Sequence, residues 1–494
     1  MKATLTNRNL SLRIRGLVDR PDRLLVVTAL VAAALAGVAI AQGGTRAAVA
    51  VTGGLAVVGI TLIGALLRTR AGWDFAAVEL PALLVLLSQI VLRQRDAEAL
   101  SSNPLDAAGL LRVASIGLAG LLGALALTTP VTDVRERITT RPFRLYCLYV
   151  VIVFLGAPLS VNLLLTAYRG VELVACLVVV AGAFRRAGRQ AAERILTLVY
   201  WFTAASVVAI WLGAVVMPGS AFSPVDSPFP VQLHGVFPAF SANGTGTLGA
   251  VLGLWSLAKL LSPPDRGKIT TRILLLLTVL GFTTLAFAQY RTGYVAAIVG
   301  LVVLLWFRAR AAAFWVIIIS LVVAIAWGGQ IVHSLEPVLQ RGATVEVVRG
   351  LSGRLTYWES ALEVWRESPF LGGGLLTASR FEVLAKLGSV YTSSIHGTWV
   401  EALVGTGIIG LAFLAAAFLV TMYRAFRDAR RLRGLVVPLI LLTFVSVRSI
   451  TGPTFEVAGS DALVLMTLAI LFRDQPMVRG REEPRLQRPE HATR

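Results

Sequence analysis

The chain has 494 residues, 56% of them hydrophobic and only 15% charged, with a mean hydropathy of +0.76. About a quarter of a soluble protein is charged, so a soluble globular enzyme is excluded and an integral membrane protein is expected. The net charge of +19 comes from Lys and Arg gathered in short clusters between apolar runs, which is the pattern of cytoplasmic loops and not of a nucleic-acid-binding surface.

Residues 1–23 form a basic leader. The first apolar run, 24–42, contains Ala39-Ile40-Ala41, which looks like a signal-peptidase site. The long leader and span-length run favour an uncleaved first helix. A membrane helix needs about 20 apolar residues. Further candidates follow near 47–67, 75–92, 109–128, 144–158, 161–184, 195–216, 245–262, 272–289, 293–307, 311–329, 398–420, 435–448 and 459–472. Several are short, so the expected fold is an all-α polytopic membrane protein with about 12–14 spans. Basic clusters recur in every second loop, from Arg68 and Arg70 through Arg185 and Arg186 to the run beginning at Arg424. That alternation places both termini in the cytoplasm; the segment around Arg93 and Arg95 is outside by parity alone. Cys147 and Cys176 lie within apolar runs and read as core residues.

Two outer loops exceed a tight turn. Residues 217–244 are rich in Pro, Ser and Gly, and residues 330–397 are long enough to fold separately between the membrane segments 24–329 and 398–472. No Walker motif is present, and residues 473–494 form a polar tail that reads as disordered. In the large loop, "LSGRLTYWESALEVWRESPFLGGG" has helical periodicity, with Leu355, Trp358, Leu362 and Trp365 on one face, a Ser352 cap and a stop at Pro369. Such a helix lies at the membrane interface or packs on the membrane domain.

Arg291 stands between two apolar runs with almost no loop. It either snorkels to ordinary headgroups or clamps a diphosphate, whose oxygens a guanidinium fork meets two at a time. Arg354 lies in the first turn of the loop helix. His396 precedes the apolar run from 398, a position that keeps an imidazole neutral and able to accept a proton. Alone it reads as a surface residue or a cap. Beside diphosphate-binding cations it suits glycosyl transfer, where the acceptor hydroxyl loses a proton and the leaving diphosphate needs positive charge. Glu401 either orients the ring from below or pairs with an arginine of another helix. His333, His491 and His234 carry weaker signals.

These residues resemble those of the O-antigen ligase and O-antigen polymerase superfamily, over roughly 285–413. The pieces are "QYRTGY" with Arg291, "SGRLTYW…SPFLGGG" with Arg354 and Pro369 to Gly374, and "HGTWVEALVGTGIIG" with His396, Glu401, Gly407 and Gly410. The resemblance implies a membrane glycosyltransferase acting at the outer face of a bacterial inner membrane. Its donor would be a polyprenyl-diphosphate-linked glycan; its acceptor would be a glycan, lipid or protein. The arginines would hold the diphosphate and His396 would assist the acceptor, with no metal and no cofactor. Gly397 stands where the family often has Asn or Ser, and "QLHGVF" offers Gln232 and His234 where the family often has an arginine before a glycine. A transporter or flippase is the alternative, since Glu79, Arg169 and Glu172 fall within spans.

Overall fold

The computed structural model describes residues 70–90, 107–128, 140–225, 229–236, 238–262, 271–319, 354–387, 395–430 and 435–472, with isolated positions between 322 and 330. The leader, the spans expected at 24–42 and 47–67, the segment around Arg93 and Arg95, Ser352, His333 and the tail with His491 lie outside the described residues.

The described chain is an all-α bundle. Its helices are α1 Arg70–Ser88, α2 Ala107–Thr128, α3 Arg141–Gly156, α4 Leu163–Ala187, α5 Gln190–Val216, α6 Ala242–Leu260, α7 Thr271–Ala288, α8 Arg291–Arg308, α9 Arg354–Glu367, α10 Thr398–Ala429, α11 Val436–Thr451 and α12 Ser460–Leu471. Among the described residues, seven helices are long and apolar enough to cross a membrane; α11, α12 and a helix at Arg310–Ile319, within the span expected near 311–329, are apolar but shorter. The chain is therefore a multi-pass membrane protein. Helix starts carry local signals. Asn162 accepts from the Leu165 amide at 3.0 Å, and Thr140 caps α3 with a proline in its first turn.

Small residues let the helix backbones approach. A Cβ added at Gly182 would lie 2.5 Å from the Gly123 carbonyl, so α4 and α2 meet there backbone to backbone. Gly281 of α7 sits as closely against Gly249 and Gly253 of α6. Several charges within the described bundle are paired: Arg194 holds Glu79, Arg186 holds Asp74 at 2.7 Å, and Arg169 holds Glu172 at 2.6 Å.

The 217–244 loop is more ordered than its composition suggests. It contains a two-stranded antiparallel hairpin, β1 Phe222–Pro224 and β2 Val231–Leu233, with Ser223 opposite Gln232. Helix α9 begins and ends near the expected positions, but its face differs. Ala361 and Val364 are buried, with Tyr357 and Trp365 against the same cluster, while Leu355 and Leu362 are exposed. The helix turns Trp358 and Trp365 toward the protein because their indole N–H groups find partners there: Ile395 O at 3.1 Å and Pro369 O at 3.0 Å.

The feature that positions the site is a break in α10. Gly407 has φ 65 and ψ −173, a backbone conformation open essentially to glycine alone. The bonds that Ile408 and Ile409 would make to Val404 and Gly405 are replaced. Ile408 N donates to Pro369 O at 2.9 Å and Ile409 N to Phe370 O at 3.4 Å. On the other side of the break, Gly373 N donates to Val404 O at 2.9 Å and Gly374 N to Gly405 O at 3.1 Å. The "SPFLGGG" segment thus satisfies the backbone groups that the break frees, as a buried or lipid-embedded break requires. The approach excludes side chains: a Cβ at Gly372 would lie 2.5 Å from Gly405 C, and one at Gly407 would lie 2.2 Å from Phe370 C.

Candidate active site

Three segments distant in sequence meet before the first turn of α10. The α7–α8 turn brings Arg291, α9 brings Arg354 in its first turn, and the loop 395–397 brings His396. Arg354 is close enough for its charge to act on both Arg291 and His396. Two like charges held together in a half-buried place repel, and an anion between them would relieve that repulsion.

Each contributor is locked from behind. Gln289 has φ 50 and donates its amide to Phe229 O at 2.8 Å and Val231 O at 2.7 Å. Gln232 returns a bond to Ala288 O at 2.9 Å. The hairpin thereby clamps the turn carrying Tyr290 and Arg291. His234 shares a 2.8 Å bond with Ser223 across the hairpin, and burial lowers its pKa. Gln232 thus braces the turn directly, and His234 closes the hairpin that clamps it.

His396 has φ 54. Trp358 binds the carbonyl of the residue before it, and Gly397 packs against both Trp358 and Ile450 O. Thr398 anchors the other side, through Gly452 O at 3.0 Å and Thr454 Oγ1 at 2.8 Å. Burial first, then the neighbouring Arg354, hold the His396 ring below its ordinary pKa. Burial likewise lowers the pKa of Arg354, while the nearby Tyr290 raises it. Among the described residues, left-handed non-glycine backbone occurs at Gln289, Leu376 and His396, and all three adjoin this region. Such strain persists only where the surroundings over-determine it, and it gathers at functional sites.

Glu401 lies below, buried, and its Oε1 accepts from Ser379 Oγ at 2.7 Å. It also feels the charge of Arg380. Both partners come from a π-helical stretch, Ala378–Val383, so the carboxylate is oriented by the loop after the glycine run. The carboxylate is thus held by Ser379, with the Arg380 charge nearby.

Two acidic or basic groups near the site escaped the sequence reading. Glu456 lies in the α11–α12 turn, fully buried, and burial pushes its pKa up to about 7. Its Oε2 accepts from Thr454 N at 2.9 Å, and Tyr149 donates to its backbone carbonyl at 3.0 Å. Arg380 is the other; burial and the nearby Arg169 lower its pKa to about 10. Their only local signal was a charge within "GPTFEVAG" and after "LGGGLLTAS", which Pro and Gly make look like ordinary loops. No group of three or more His, Cys, Asp or Glu suited to a metal occurs among the described residues.

Residues 276–415 match the family model described as O-antigen ligase. This stretch, over which the chain is similar to that family, contains Arg291, Arg354, His396, Glu401 and the break at Gly407. No curated protein matches the chain.

Proposed function

We propose, with the O-antigen ligase match as premise, that this protein is a membrane glycosyltransferase. It moves a glycan from a polyprenyl-diphosphate carrier to an acceptor hydroxyl at the outer face of a bacterial inner membrane. Both termini would be cytoplasmic and residues 330–397 outside. The observation that carries this reading is the convergence of Arg291, Arg354 and His396 from three separate segments.

In this reading the acceptor oxygen attacks the anomeric carbon as the bond from that carbon to the diphosphate oxygen breaks. The glycan is transferred with inversion, and polyprenyl diphosphate leaves with the bonding electron pair. Arg291 and Arg354 hold the diphosphate and stabilise the charge it gains, which is the larger electrostatic contribution. His396, kept neutral by burial and by Arg354, takes the acceptor proton. Glu401 and Ser379 hold the first turn of α10 beneath it. The chain's own residues supply each of these roles, and the reading invokes no metal.

Internal pairing of Glu79 with Arg194 and of Arg169 with Glu172 favours transfer over a transport path, whose charges would face a water-filled route. The test is turnover by purified protein in detergent, without any gradient, on a polyprenyl-diphosphate oligosaccharide. Release of polyprenyl diphosphate with growth or transfer of the glycan is expected. Gradient-dependent movement of intact donor across vesicles, with no transfer, would overturn it.

A further inference from the structure

A second arginine cluster lies near the start of α10. Arg112 comes from α2, Arg169 from α4 and Arg380 from the π-helical stretch. Glu172 accepts from Arg112 Nε at 2.8 Å and from Arg169 at 2.6 Å, so one carboxylate is shared by two guanidinium groups. The charges acting on Arg380 are Arg169 and Arg112 against Glu401 and Glu172. Among the described residues that makes three cations to two carboxylates in a largely buried place. Arg169 is 8% exposed, and its Nε is buried without a hydrogen-bond partner. The Arg112 side chain is 29% exposed, and its neighbours Leu110 and Val113 are open apolar surface on the same helix. The cluster is thus built, carries excess positive charge, and opens beside an apolar surface.

Both clusters lie near the start of α10. His396 feels Arg354, and Glu401, one turn further on, feels Arg380. An enzyme with one lipid diphosphate as donor needs one such cluster. A second makes sense where the acceptor also arrives on a phosphorylated lipid.

We infer that Arg112, Arg169 and Arg380 form a second phosphate site, which takes the lipid-borne phosphate of the acceptor while Arg291 and Arg354 hold the donor. Naming the ligand as acceptor rests on the glycosyl-transfer reading; the phosphate site itself does not. The neighbouring apolar face of α2 suits the lipid chain. The shared chemistry is a phosphate ester on a lipid, and an anionic phospholipid headgroup is its other source.

Native mass spectrometry of the full-length protein with farnesyl diphosphate as probe tests the site without requiring turnover. Two bound equivalents are expected. Arg291→Gln with Arg354→Gln should remove one, and Arg112→Gln with Arg380→Gln the other, each by about ten- to a hundredfold in affinity. Arg112→Gln alone leaves the Arg169–Glu172 pair in place and is the variant to use should the double change fail to fold. One equivalent in the unaltered protein, or two in both Arg112 variants, would overturn the inference. Displacement of the second equivalent by phosphatidylglycerol, but not by a short-chain polyprenyl-diphosphate glycan, would assign the site to membrane lipid and overturn the acceptor. In turnover, Arg112→Gln should raise KM about tenfold for a lipid-phosphate acceptor and leave an alkyl glycoside acceptor unaffected. If the unaltered protein transfers to neither acceptor, the glycosyl-transfer reading fails, and the binding stoichiometry still decides the site.

Discussion

Gly407→Ala is the perturbation that most directly tests how the site is held. The residue sits at φ 65, ψ −173, and a Cβ there would meet Phe370 C and O at 2.2 Å each and Leu371 N at 2.6 Å. All three contacts are backbone, so no flexible side chain yields. The unfavourable φ/ψ costs about 1–3 kcal/mol. Forcing apart packed backbone costs about 1–3 kcal/mol more, for a total of roughly 2–6 kcal/mol. Displacing "SPFLGGG" would also loosen the four bonds that bridge the break, and with them the start of the stretch carrying Ser379 and Arg380. The control is Gly117→Ala, where nothing lies within 4 Å of the added carbon. Apparent melting temperature in detergent, followed by size-exclusion recovery after heating, should fall by about 2–6 °C for Gly407→Ala. It should hold or rise slightly for the control. A Gly407→Ala protein as heat-resistant as the control would refute the argument that the break is locked by the inserted segment.

Arg291→Lys and Arg354→Lys should each lower turnover about ten- to a hundredfold despite keeping charge, because lysine lacks the two-pronged fork. Wild-type rates in both lysine variants would reduce these residues to anchors of the fold. His396→Ala should lower turnover about 10²–10⁴-fold with donor affinity nearly unchanged. The ring's pKa is depressed, so activity should be full at neutral pH and fall as acidification protonates it, below the ordinary histidine range. Removing the positive neighbour in Arg354→Gln favours imidazolium, so the acidic limb should move to higher pH; a limb unmoved by that change would exclude His396 as the titrating group. Cysteines at Glu359 and Gln190, both exposed, should differ in labelling by an impermeant thiol reagent on cells with a permeabilised outer barrier. Labelling at 359 but not 190 is expected, and the reverse would invert the topology.

The apolar runs and basic clusters were enough to identify a polytopic all-α protein, because span length and hydrogen-bond satisfaction in lipid leave few other folds. Arg291, Arg354 and His396 stood out in the sequence as candidates, each a polar group placed where an apolar helix begins or a loop helix starts. What no local pattern carried was their meeting, since residues 291, 354 and 396 converge only once α8, α9 and α10 pack. The hidden break at Gly407 is of the same kind. Its neighbours form an unbroken apolar run, so the run reads as one helix. The break exists because a segment more than thirty residues earlier supplies its missing hydrogen bonds. Arg380 and Glu456 sit in segments that composition marks as loops, and only burial against Arg169 and Tyr149 gives them electrostatic weight. Periodicity reports which face of an element is apolar; it holds no record of which distant backbone atom will stand within 3 Å.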